Sequence, residues 1–267
     1  MKPAAASALL VAAALAAAPL GAARAADLPD PIARAELIGG WTTPSGTRMA
    51  ALRLTLASGW KTYWRAPGDA GIPPAFDWTG SGNLRSVAFH WPRPEVIDVG
   101  GMRTLGYHGE LVLPIELTPI VPDAPVDARA TVQLGVCDEV CVPLSLSVRA
   151  ELPKGLPADA AVKAALADQP ERLDAPVRCA VEPLRDGLRL TATASLPSPG
   201  ADEFAVIEVA DGGVWVSPAD SRRTGPTLVS VADLVPADAR PFALDRSQVR
   251  ITVFGGGRAV EIEGCTG

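Results

Sequence analysis

Apolar and polar residues alternate with a period of two along most of this chain beyond residue 33, and proline and glycine repeatedly cut the alternation. The stretches "TRMAALRLTLASGW", "SVAFHW", "ELVLPIEL", "DARATVQLGV" and "VPLSLSVRA" carry the pattern of half-buried β-strands. Between them lie "RAPGDAGIPP", "WPRPEVIDVGG" and "PIVPDAPVD", which break strands and cannot enter a helix interior. With 26 prolines and 25 glycines, the chain has little room for long helices. An antiparallel sandwich is the economical fold for residues 33 to 150.

The texture changes at "ELPKGLPADAAVKAALADQPERLDAPV". Prolines bracket a single helical pattern, Ala158 to Asp168, and residues 153–176 read as a linker that carries this short helix. From Val177 the alternation resumes in "GLRLTATASL", "EFAVIEVA", "TLVSVADL", "QVRITVF" and "RAVEIEG". The expected architecture is all-β: a first domain over residues 26–152, the linker, and a second β-rich domain over residues 177–267.

The first residues, "MKPAAASALLVAAALAAAPLGAARAAD", read as an export leader. Lys2 supplies the positive start, an uncharged stretch runs from Pro3 to Ala23, and Ala23-Arg24-Ala25 places small residues at the positions a signal peptidase reads. Cleavage is expected after Ala25, giving a signal peptide of residues 1–25. An uncleaved anchor is the alternative, disfavoured by the alanine-rich, weakly hydrophobic composition. No later segment offers ~18 consecutive apolar residues, so no membrane span is expected after cleavage. The remaining 242 residues hold 22 basic and 30 acidic side chains, a formal charge of −8. That balance disfavours nucleic acid and anionic membrane surfaces as partners, and the length suits two domains.

Export to an oxidising compartment gives the four cysteines their meaning. Cys179 opens the second strand series and Cys265 closes it. A bridge between them closes a loop of 86 residues, for which the chain-entropy account gives about 4 to 5 kcal/mol. They are expected to form a structural disulfide; a free thiol pair and crossed pairing with the first domain are the alternatives. Cys137 and Cys141, in "LGVCDEVCVPL", are then left to each other. So short a ring gives far less entropic stabilisation, so a staple is a poor reason for it to exist. A short-loop disulfide near the surface exchanges readily, as a redox centre should. Asp138 and Glu139 between the cysteines are expected to raise the thiol pKa and guard the pair.

Metal binding is the rival use of the same thiols, with His90 and His108 for zinc or Met102 for copper(I). Neither histidine stands at a short fixed spacing from a cysteine, so the ligand signature is missing and no cofactor is expected. Trp60, Tyr63, Trp64, Trp78 and Trp91 read as packing residues, and Asp69 in "RAPGDAG" as turn chemistry. No G-x-S-x-G, H-E-x-x-H or phosphate-cradling glycine loop is present, leaving hydrolase and nucleotide readings unsupported.

The segments "GWKTYWRAPGDAGIPPAFDWTGSGNL", "VAFHWPRPEV", "TLGYHGELVLPIEL" and "VCDEVCVPL" together resemble the periplasmic N-terminal region of the DsbD family of disulfide reductases, and most closely its ScsB branch. The resemblance is strong over residues 33 to 150 and weaker beyond. It implies an immunoglobulin-like domain in the periplasm whose cysteines, here Cys137 and Cys141 followed by Pro143, act in thiol:disulfide interchange. It further implies electron relay from a membrane-embedded thiol reductase to periplasmic thioredoxin-like proteins, some serving cytochrome c maturation. The family's second cysteine, here Cys141, would form the mixed disulfide. The family's cap loop falls on Asp98 to Tyr107, where Met102, Leu105 or Tyr107 would cover the sulfurs. Full-length members continue into transmembrane helices and a thioredoxin-like domain absent from this sequence, so a module acting with a separate membrane protein is expected. The alternative is a non-catalytic module that binds copper or a redox or cytochrome-assembly partner.

Overall fold

The structure, a computed structural model, describes residues 31–209 and 213–267. The leader read at residues 1–25, with its cleavage point after Ala25, lies outside the described residues.

The first half is a sandwich of ten strands: β1 (Ala33–Thr42), β2 (Arg48–Leu56), β3 (Lys61–Gly68), β4 (Ala75–Asp77), β5 (Leu84–Phe89), β6 (Glu95–Val99), β7 (Met102–His108), β8 (Glu110–Pro119), β9 (Val126–Cys137) and β10 (Cys141–Leu152). One sheet runs β1-β2-β8-β5; the other runs β10-β9-β3-β7-β6, with β4 beside β9. Alternation places Leu52, Leu54, Trp64, Leu113, Ile115, Val132, Leu134 and Val136 between the sheets, where all are buried.

The helix α1 (Ala160–Ala167) starts two residues later than the sequence pattern suggests. Asp159 is the reason: its carboxylate accepts from the Ala161 and Val162 amides at 2.8 and 3.1 Å, capping the first turn. Val162 packs on Met49 and Ala51 of β2, covering the outer face of that sheet. β2 is therefore buried on both faces at its start, which explains why "RMAAL" is more continuously apolar than a one-sided strand requires.

The second half contains β11 (Glu171–Arg172), β12 (Val177–Pro183), β13 (Leu188–Ser195), β14 (Phe204–Glu208), β15 (Val214–Val216), β16 (Asp220–Thr224), β17 (Thr227–Pro236), β18 (Arg250–Gly255) and β19 (Arg258–Glu263). Its sheets run β11-β19-β18-β14 and β12-β13-β17-β15, with β16 also on β17. Leu190, Leu228, Leu234, Ile251 and Val253 fill the space between them. Cys179 on β12 and Cys265 just past β19 are bonded to each other, tying one sheet to the end of the other.

Residues from Pro31 onward form one compact unit, and the two sandwiches meet through a mixed interface. Trp64 meets Phe254 edge to face at 5.6 Å, and Phe254 stacks on Phe204 at 5.1 Å. Beside them Arg65 reaches Glu208 of β14 through two nitrogens, with contacts of 2.9 to 3.2 Å, and Glu261 of β19 at 2.6 Å. Glu261 also accepts from Thr252 at 3.5 Å.

Candidate functional site

The β9–β10 hairpin ends in the three exposed residues Asp138, Glu139 and Val140, closed by an Asp138 N–H donated to the Val140 carbonyl at 3.3 Å. Cys137 and Cys141 face each other across its mouth, bonded, with Cα atoms 4.1 Å apart. That separation belongs to a non-hydrogen-bonded antiparallel pair, where side chains lie closest. Two residues on, Pro143 opposes Gly135 in the same phase on the edge strand β10, where no ladder N–H is needed.

Strand parity explains the setting of the sulfurs. Val132, Leu134 and Val136 point into the core, so Gly135 and Cys137 point to the outer face of the sheet. Cys141 is exposed there, yet Cys137 is only 1% exposed. The cover comes from β3 and the segment that follows it. Tyr63, itself buried, donates its hydroxyl to Cys137 Sγ at 2.8 Å and lies 3.5 Å from Cys141 Sγ. Burial raises the Tyr63 pKa above its ordinary value, keeping it a hydrogen-bond donor.

The segment 69–74 lies over this ring and its neighbour. A Cβ on Gly71 would fall 2.6 Å from Tyr63 Cδ1, so only glycine lets the backbone rest on the phenol. Likewise a Cβ on Gly135 would fall 2.8 Å from Cβ of Ile72, which sits over that gap. Asp69 anchors the segment: its amide donates to the Arg103 carbonyl at 2.9 Å and its carboxylate accepts from the Arg103 amide at 2.7 Å.

The stretch Asp98 to Tyr107, which the resemblance implies as the cover, runs along β7 away from the sulfurs. Tyr107 opposes Thr62, which opposes Val136, so Tyr107 and Leu105 belong to the inner face and are buried in the core. The Tyr107 hydroxyl donates to the Pro92 carbonyl at 2.7 Å, and burial drives its pKa well above the ordinary value. Met102 shares the outer face but stands six residues along β7 from His108, which lies level with the cysteines, roughly 20 Å away. Asp98 pairs with the Arg103 guanidinium at 3.2 Å, and that guanidinium lies 4.1 Å over the Phe204 ring. This hairpin therefore reaches towards the second sandwich.

Asp138 and Glu139 do flank the disulfide, though the Asp138 carboxylate leans on Gly59, 3.4 Å from where a Cβ would stand. The histidines are not drawn to the thiols: His90 Nε2 lies 3.2 Å from Glu116 on the opposite sheet, and His108 Nδ1 lies 2.8 Å from Glu95. In the sequence Tyr63 reads as a packing aromatic and Asp69 as turn chemistry, so neither stands out as a site residue. Parity with the core residue Trp64 signals that Tyr63 points outward, but only the β3–β9 pairing puts it beside a sulfur.

A β-sandwich bearing a hairpin disulfide with one sulfur outside and one sheltered belongs to the class of thiol:disulfide interchange modules. Residues 34–151 match the family described as "Thiol:disulfide interchange protein DsbD, N-terminal". The fold is also similar to the crystal structure of the N-terminal periplasmic domain of ScsB from Proteus mirabilis, with a TM-score of 0.59 and 25% identity over 88% of this chain and 92% of that one. No curated protein matches the chain.

Proposed function

We propose that this protein is an exported redox module that relays electrons through Cys137 and Cys141, from a membrane-embedded thiol reductase to thioredoxin-like proteins of the periplasm. The observation that carries this reading is the asymmetry of the pair, with Cys141 open to solvent and Cys137 held under Tyr63. No helix among the described residues is long and apolar enough to cross a membrane. The location rests on the leader-like N-terminus and on similarity to a domain whose description is periplasmic.

An incoming thiolate attacks Cys141 Sγ, the exposed end. The S–S bond breaks, its electron pair leaves on Cys137, and a mixed disulfide joins Cys141 to the partner. The donor's second thiolate then attacks its own sulfur in that mixed disulfide and releases Cys141. The donor leaves oxidised and the 137/141 pair leaves reduced, two electrons and two protons richer. Donation to an oxidised acceptor is the same sequence reversed. The Tyr63 hydroxyl meets the charge that forms on Cys137, acting as a fixed donor to a developing anion.

The test is a trap in periplasmic extract. Cys137→Ser leaves Cys141 without its resolving partner and should accumulate mixed disulfides with a small set of proteins. Cys141→Ser leaves only the sheltered thiol and should capture little. Equal capture by both variants, or a wild-type pair that stays oxidised across a glutathione titration that reduces a thioredoxin control, would overturn the reading.

A further inference from the structure

The outer face carries a row of side chains across four strands: Cys141 opposes Cys137, Cys137 opposes Lys61 of β3, and Lys61 opposes His108 of β7. Directly opposed residues share a face with Cβ atoms about 4.5 to 5.5 Å apart, well within reach of a lysine's four-carbon stem. Lys61 is half-buried, and among the described residues its ammonium has neither an ion-pair nor a hydrogen-bond partner. The nearby carboxylates have other neighbours. Glu95 pairs with His108, Asp69 is held by the Arg103 amide, and Asp138 leans on Gly59.

We propose that Lys61 is a positioning residue for the exchange reaction, biasing the opened pair so that Cys137 carries the negative charge. The inference rests on the exchange reading above and deepens it by naming what selects the leaving sulfur. Burial alone opposes a charge on Cys137, and one hydroxyl donor offsets this only in part. An unpaired ammonium on the neighbouring strand supplies the remaining attraction, strengthened where water is scarce. The groups that face Cys137 are Lys61 and Tyr63 from β3, Asp138 and Glu139 from the turn, and Cys141 from β10. His108 with Glu95 lies one strand beyond, and Asp69 in the overlying segment. Lys61 is the single uncompensated cation among these.

The midpoint of Cys137 ionisation, read from thiolate ultraviolet absorbance against pH, tests this in the full chain carrying Cys141→Ser with the 179/265 disulfide intact. Lys61→Met should raise the midpoint by about one unit, Lys61→Glu should raise it further, and Lys61→Arg should return it near the parent. In the chain with both cysteines, Lys61→Met should slow opening of the disulfide by dithiothreitol several-fold, since a leaving thiol of higher pKa departs more slowly. A midpoint unmoved in Lys61→Met, or one that Lys61→Arg does not restore, overturns the proposal. A parent disulfide that resists dithiothreitol overturns the exchange reading alone, because the single-thiol midpoint is still measured.

Discussion

Tyr63 joins the packing of this protein to its chemistry. Its ring supports Gly71, and its hydroxyl reaches the sheltered sulfur at 2.8 Å. Tyr63→Phe retains the ring and removes the donor. A hydrogen bond to a charged group is worth about 1.5 to 3 kcal/mol, so the variant should open with dithiothreitol at least about tenfold more slowly while its thermal midpoint changes little. Stopped-flow reduction beside thermal melting separates the two effects; an unchanged rate would remove Tyr63 from the reaction. At the same scale, the cysteine spacing was legible in the sequence, because a four-residue separation and a leader-like N-terminus suffice to suggest a labile pair. Tyr63 was not, since an aromatic among tryptophans reads as core until its strand neighbour is known.

Among the elements, the segment 69–74 rests on Tyr63 and stands over Gly135. It crosses the outer face between β3 and β9, and two hydrogen bonds from Asp69 to the Arg103 backbone hold its start. Asp69→Ala removes the carboxylate bond and should loosen the cover without touching either sulfur. Reduction of the 137/141 pair should then accelerate several-fold, and hydrogen exchange of the Arg103 amide should quicken with it, since that amide loses its acceptor. If exchange quickens while reduction does not, the segment is not a barrier. The resemblance implies a cover at Asp98–Tyr107. Strand parity turns Leu105 and Tyr107 inward, and the Arg103 side chain lies against Phe204. Parity is readable from one strand, but the direction of the core requires the register with β3 and β9.

At the scale of the molecule, the two sandwiches are held by Arg65 between Glu208 and Glu261. Burial pulls the Arg65 pKa down, but Glu208 and Glu261 together outweigh it and hold the pKa above its ordinary value, so the guanidinium stays charged at any working pH. Removing it leaves two largely buried carboxylates without their main partner, Arg250 lying 3.6 Å from Glu261. Arg65→Met should cost about 3 to 5 kcal/mol in urea unfolding, and adding Glu208→Gln and Glu261→Gln should recover part of that loss. A loss below about 1 kcal/mol would mean that the aromatic contacts alone hold the interface. None of this was visible in the sequence, where Arg65, Glu208 and Glu261 are ordinary charged residues in alternating strands.

The sequence by itself determined the β character of both halves, because a two-residue period broken by proline and glycine admits little else. It also singled out Cys137 and Cys141 as a short-ring pair, because ring length follows from spacing alone. Tertiary structure decided which strand lies beside Cys137. That choice set the Tyr63 hydroxyl of "WKTYW" beside the Cys137 sulfur and Lys61 opposite Cys137, 76 positions away in the chain. The physical reason is that alternation specifies which residues share a face, whereas strand order depends on the packing of all the sheets at once.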